Sequence, residues 1–333
     1  METKGKKFRF GRVMLLLTAV SLLLIVGSFG VGYYHIAPWE ILPALFGGDS
    51  PQLTVLKNLR MPRILAAFAI GGALAVGGSA YQGMFKNPLV SPDILGVSAG
   101  AGLGAALAIT AGSPAWGVQL SAFVFGIGTV VICYLVVHRV PWNQTVSLIL
   151  AGTMLQTLAN AGVTMLKYLA DPDDTLPAIT FWLMGSLAKV EMETLSAAVP
   201  PMVVGFVILM GMRYRLNVLT LGDDEARSLG IDPRRTRAVA IAGATLLSAS
   251  AACLGGLIGF VGLMIPHVAR WLVGPQYGRL LPASCLMGGC FLLLMDDVAR
   301  STLTMEIPLG VMTAAVGAPF FLWLITRQGG DAR

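Results

Sequence analysis

The chain has 333 residues, of which 56% are hydrophobic and only 12% charged, and it carries a net charge of +6. Length alone would allow two water-soluble domains, but so few charged groups cannot cover the surface of a soluble protein of this size. The positive excess calls for no nucleic acid, because it falls where a membrane topology requires it.

Apolar stretches of about 18–22 residues recur along the chain, and about 20 helical residues cross a ~30 Å hydrocarbon core. In chain order they predict ten transmembrane helices near 13–33, 62–82, 94–111, 117–138, 146–167, 194–212, 238–255, 257–273, 281–299 and 308–326. The fold class is therefore all-α and polytopic, with residues 1–333 forming one membrane domain. Lys4, Lys6, Lys7, Arg9 and Arg12 precede the first apolar run. That run is longer than a signal-peptide core and no small-x-small site follows it, so an uncleaved span is expected. A cytoplasmic N-terminus puts 17 of the 23 Lys and Arg on the inner side, as the positive-inside rule demands, and places both termini there.

The turn after the second span reads FKNPLVSPDILG. Asn87-Pro88 breaks one helix, Ser91 suits an N-cap, Pro92 the first helical position and Asp93 the positive end of the dipole. Gly96, Gly100 and Gly104 then make two overlapping GxxxG steps, and Gly255 and Gly259 a further one; tight packing within the chain is expected at both. Cys133, Cys253, Cys285 and Cys290 lie in apolar runs without a CxxC pair, which argues against a disulfide framework or a zinc site. The 16 methionines are scattered as packing filler rather than as metal ligands.

Residues 213–237 are a charged island. Gly222-Asp223 starts a short helix with acid at its N-terminal end, and Gly230 stops it. Such a helix is a rigid docking knob, against the alternative of a solvated loop. No GxxxxGK[ST] occurs, so the chain has no P-loop; if ATP drives it, a separate subunit must bind that island.

Arg279 and Arg300 bracket the ninth span, about 31 Å apart along a helix. Arg300 thus reaches the outer interface, with Asp296 four residues before it as a local partner. Arg60 and Arg63 enter the second span from the same side. Two readings stand for these arginines: snorkelling anchors, or a basic patch for an acidic partner. His35 and His138 lie at interfaces and His267 follows Pro266. No paired midplane charges or inverted repeats mark an ion-coupled carrier, and no clustered nucleophile or HExxH set marks an intramembrane enzyme.

Four ordered segments together resemble the FecCD family, permease subunits of type II ABC importers for iron–siderophore complexes, haem and cobalamin. They are LRMPRILAAFAIGGALAVGGSAYQGMFKNPLVSPDILGVSAGAGLG, LGDDEARSLGID, GLIGFVGLMIPHVAR and IPLGVMTAAVGAPFFLWL. The resemblance implies a bacterial inner-membrane permease, homodimeric or paired with a paralogue. Two ATPase subunits would hold ATP and Mg, a periplasmic binding protein would deliver cargo, and this chain itself would hold no cofactor. A ferric siderophore or haem is the expected cargo, with cobalamin or an oxyanion as alternatives. By the same resemblance, Leu221, Gly222, Asp223, Asp224, Glu225, Ala226, Leu229 and Gly230 couple to the ATPase. Arg60, Arg63 and Arg300 dock the binding protein, and Asn87, Leu89, Thr145 and Val146 form the cytoplasmic gate. Val146 departs from the small hydroxyl residue expected at its position.

Overall fold

The computed structural model describes residues 2–32, 55–139, 144–302 and 305–328; His35 lies outside them. Among the described residues every regular element is helical. In chain order these are α1 (Glu2–Ser28), a π-helical turn (Val55–Arg60) running into α2 (Met61–Met84), a 3-10 turn (Pro92–Leu95), α3 (Val97–Thr110), α4 (Ala115–His138) and α5 (Gln144–Leu169). They continue with α6 (Thr175–Met184), α7 (Met192–Gly211), α8 (Arg213–Leu219), α9 (Asp223–Ser228), α10 (Pro233–Gly255), α11 (Val261–Val273), α12 (Tyr277–Ser301) and α13 (Leu309–Gln328).

Among the described residues seven helices are long and apolar enough to cross a membrane, and the other three expected spans are the shorter apolar helices α3, α11 and α13. The protein is a multi-pass membrane protein. Burial sorts the spans. The apolar windows of α2 and α10 are 78% buried, against 6% for α1 and 28% for α4, α5 and α7, so α2 and α10 form the centre.

Lipid gives two apolar helices no hydrophobic reason to associate, so the centre is held by close backbone packing. α2 provides it with glycine. A Cβ on Gly71 would lie 2.1 Å from the Gly288 carbonyl oxygen of α12, and one on Gly78 would lie 1.8 Å from the Gly262 carbonyl oxygen of α11. The expected packing of α3 is also found within the chain: a Cβ on Gly100 would sit 2.2 Å from Thr129 Oγ1 of α4. The second GxxxG step is half corrected. Gly255 packs against Ile258 and Ile70, whereas Gly259 has nothing within 4 Å of a Cβ.

The structure departs from the expected elements in three further places. The third span begins not at 94 but at Val97, after the 3-10 turn and Gly96 at φ 83, and Ser91 makes no side-chain cap. Asp93 instead accepts a bond from Ser98. The eighth span starts at Val261, because Gly256 (φ 71) and Phe260 (φ 65) break the chain before it. The stretch expected as a plain outer connection, 168–193, contains α6. Ten residues are too few to span a membrane, and α6 ends at Gly185 with φ 76.

Two of these breaks, at Gly185 and Gly256, meet each other. Ser186 N–H donates to the Gly255 carbonyl at 3.0 Å, and Leu309 N–H donates to the Gly185 carbonyl at 3.0 Å. Irregular backbone in a membrane protein is tolerated where protein satisfies it, and here the carbonyls of Gly255 and Gly185 take up the amides of Ser186 and Leu309.

Replacing Gly71 by Val should abolish the close pass to α12 and cost at least about 3 kcal/mol by overpacking. Gly259→Ala should leave stability unchanged. Thermal unfolding of the detergent-solubilised protein compares the two.

Candidate functional site

At the inner end of α2 the helix closes with Lys86 N–H on the Gly83 carbonyl (3.3 Å) and Asn87 N–H on the Gln82 carbonyl (3.2 Å). This is the Schellman pattern, whose left-handed position usually holds glycine. Here it holds Lys86, at φ 49. The Asn87 side chain then accepts from Leu89 N–H at 2.9 Å, an Asx turn that fixes the next bend. Leu89 is left 52% exposed, a large apolar side chain at the mouth of the bundle.

The island folds as its sequence dictates. α9 opens after Gly222, and Glu225 folds its carboxylate back over that glycine's Cα. The helix ends with Gly230 N–H on the Arg227 carbonyl (2.9 Å) and Ile231 N–H on the Ala226 carbonyl (2.9 Å), with Gly230 at φ 75. Ala226 is fully buried beneath the helix, while Leu221 and Leu229 are exposed. Asp224 points outward and pairs with Arg227 at 2.9 Å. The island therefore shows one face to the bundle and presents an apolar and acidic face to whatever binds it. α10 restarts immediately, with the Asp232 carboxylate accepting from Arg234 N–H at 2.9 Å, an N-cap.

Arg237, on the first turns of α10, reaches back and clamps Asp223 with both terminal nitrogens, at 2.6 and 2.9 Å. Its side chain is 6% exposed, that of Asp223 37%. The fork holds the Asp223 carboxyl below the ordinary value of 3.8, through its hydrogen bonds with Arg237 first; the charges of Arg237, Lys86 and Arg227 add to this and burial opposes it. Beside the pair lies a cavity of about 340 Å³ lined by Met84, Phe85, Lys86, Thr145, Val146, Asp223 and Arg237. It brings two of the expected gate residues, Thr145 and Val146, together with Asp223 of the expected coupling segment. Asn87 and Leu89 stand at the end of the same turn as Lys86.

Sequence reasoning missed Lys86 and Arg237. Arg237 served only as the island's boundary, since fourteen residues and two turns separate it from Asp223. A lysine where a helix-ending glycine belongs was the one available signal for Lys86.

The arginines expected to offer their charge to a docking partner are turned inward in this structure. Arg60 is 5% and Arg300 8% exposed. Arg63 binds both oxygens of the fully buried Asp296 at 2.9 and 3.0 Å and reaches Glu306 at 2.7 Å. Arg300 lies 3.7 Å from Asp296, pairs with Asp297 and donates to the Ser28 carbonyl at 2.7 Å. Arg60 donates to the Phe29 carbonyl. Low-dielectric surroundings favour pairing over projection into the interface. Three arginines and three acids here fasten α1, α2 and α12 to one another.

Helices packed through glycine, a short capped helix on a charged island, and a cavity between that helix and the end of α2 define a multi-pass membrane bundle with a charged element at one end. Residues 17–327 match the FecCD transport family. The molybdate import system permease protein MolB of Haemophilus influenzae is 37% identical over 96% of this chain and 98% of its own. The cobalamin import system permease protein BtuC of Halobacterium salinarum is 39% identical over 86% of this chain and 79% of its own. A solved inward-facing conformation of an ABC transporter assigned to the metal-chelate type superposes with a TM-score of 0.85 at 36% identity, covering 95% of this chain and 99% of that one. The chain belongs to the FecCD transport family and is a permease of a type II ABC importer.

Asp296→Asn would remove the buried acid shared by Arg63 and Arg300, leaving them only Glu306 and Asp297 as acidic partners, and should cost about 3 kcal/mol. Glu306→Gln, at a side chain 41% exposed, should cost less than about 1 kcal/mol. Chemical unfolding in mild detergent separates the two.

Arg237→Met should cost on the order of 1–3 kcal/mol, the worth of charged hydrogen bonds. A carboxyl held below its unfolded value contributes fully above that value and loses the contribution as pH falls through the lowered one. The difference in melting temperature from wild type should therefore be constant from neutral pH to about 5 and shrink only in stronger acid.

Proposed function

We propose that the chain forms half of the translocation path of an importer for a metal chelate, a ferric siderophore or haem, in a bacterial cytoplasmic membrane. Two copies, or this chain with a paralogue, enclose the path. Two ATPase subunits seat on α9 from the cytoplasm, where both termini lie, and a periplasmic binding protein delivers cargo to the opposite end. The observation that carries the reading is the cavity, which sets Thr145 and Val146 of the gate against Asp223 of the ATPase-facing helix. A stroke delivered to α9 has a short mechanical route to the mouth.

On this reading Leu221, Gly222, Asp224, Glu225, Leu229 and Gly230 shape the ATPase-facing surface, and Ala226 seats it on the bundle. Asn87 and Leu89 narrow the exit with Thr145 and Val146. Arg60, Arg63 and Arg300 serve the binding protein by bracing the outer corner on which it lands, since their charge is taken up by Asp296, Asp297 and Glu306. The metal-chelate reading is supported by the assignment of the superposed transporter. The second reading, an oxyanion cargo, is favoured by the near full-length similarity to a molybdate permease.

The test is reconstitution with the cognate ATPase and binding protein in proteoliposomes, followed by uptake of labelled ferric siderophore, haem and molybdate. Uptake of a chelate supports the first reading and of molybdate alone the second. The permease by itself should hydrolyse no ATP. Ala226→Pro, a helix-interior proline worth ~3 kcal/mol of local unravelling, should cut ATP-driven uptake by at least tenfold in an otherwise folded protein. Normal uptake by that variant would remove α9 from the coupling route.

A further inference from the structure

Two features of the inner cavity are not accounted for by folding. Lys86 occupies the left-handed position of the α2 C-terminus, at φ 49. An L side chain there strains the backbone where glycine would not, and such strain persists where the side chain has a task. Lys86 and Phe260 are the two non-glycine residues with positive φ among the described residues, and only Lys86 lines the cavity. The second feature is Arg237. It spends both terminal nitrogens on Asp223 while its buried Nε has no hydrogen-bond partner. The clamp is incomplete on its own side, and the Asp223 carboxylate is exposed enough to be reached from elsewhere.

The charged residues lining the cavity are thus one acid between two bases, each on a different element: Lys86 after α2, Asp223 on α9 and Arg237 on α10. We propose that Asp223 is a positioning residue that passes movement of α9 to the gate by changing partner, bonded to Arg237 in the conformation described here and to Lys86 when α9 is driven toward the α2 turn. The proposal rests on α9 being the ATPase-facing element. An acid flanked by two cations keeps a partner as it moves between them, and the cost of the exchange falls on the buried Arg237, which loses its carboxylate until α9 returns and so pulls α9 back. The turn that carries Lys86 continues into Asn87–Leu89, and Thr145 and Val146 line the same cavity. A pull on Lys86 is therefore a pull on the gate. Glycine at position 86 would close α2 with less strain but could not receive the carboxylate.

The experiment uses the assembled permease–ATPase complex in nanodiscs. A spin label at Leu89→Cys, in a background without the four native cysteines, reports the distance between the two copies with and without ATP. In the wild-type background ATP should shift that distance. Lys86→Gln and Lys86→Gly should each reduce the shifted population at least threefold while the complex still assembles. The Gly variant should melt no lower than wild type, which separates loss of charge from loss of fold. The double swap Asp223→Arg with Arg237→Asp preserves the forked pair but sets Arg against Lys86, so it should stay defective until Lys86→Glu is added. Three results would each overturn the proposal: a wild-type shift in both Lys86 variants, full rescue by the double swap alone, or no ATP-dependent shift in an active wild-type complex. A wild-type shift in Ala226→Pro would overturn the coupling role of α9 itself, whatever Lys86 does.

Discussion

The approach of α2 to its neighbours is the constraint on which the rest depends. A bilayer supplies neither water for exposed backbone nor a hydrophobic force between helices. The bundle must cohere through dispersion at short range, and that range is set by Gly71 against Gly288 and Gly78 against Gly262. With α2 fixed against α11 and α12, its two ends acquire definite positions. One end carries Arg60 and Arg63 into the ion cluster with Asp296 and Asp297, and the other delivers Lys86 and the Asn87–Leu89 bend to the opposite mouth, beside α9.

The two ends use charge differently. At the outer end the buried acids Asp296 and Asp297 are enclosed with their arginines, an arrangement that fixes helices in register and has little freedom to change. At the inner end Asp223 is partly exposed, sits on a six-residue helix and has a second cation on the same cavity. Charge buried between helices serves rigidity; on the proposed exchange, charge that is half exposed and shared among three elements serves movement. An importer permease needs both, at opposite faces of the membrane.

Most of the helical order and the shape of α9 were legible in the sequence, for physical reasons that can be named. Span length follows from hydrocarbon thickness, and the stops of α9 follow from Gly222 and Gly230, whose capping bonds run between residues three to five apart. What escaped was either short or distant. The ten residues of α6 are too few to announce a span and too apolar to announce a turn. The Asp223–Arg237 clamp joins groups that no helical spacing relates. The arginines were read from their position along a helix, which does not say which way a side chain turns, and for Arg63 it was Asp296 that decided this from across the interface. The 3-10 turn at Pro92–Leu95 was hidden because Ser91, Pro92 and Asp93 suit the start of either kind of helix.

The crossed bonds from Ser186 to Gly255 and from Leu309 to Gly185 bear on how such a machine can evolve and wear. The Ser186 and Leu309 amides each depend on a carbonyl from another helix end, so the ends of α6 and α10 and the start of α13 behave as one welded joint rather than as three hinges. Opening any one of them would leave unpaired polar groups. Shape change has to be accommodated by tilting whole helices about that joint, with the deformation appearing at the end that carries α9. A permease built this way can vary the groups that line its path while keeping the same pivot.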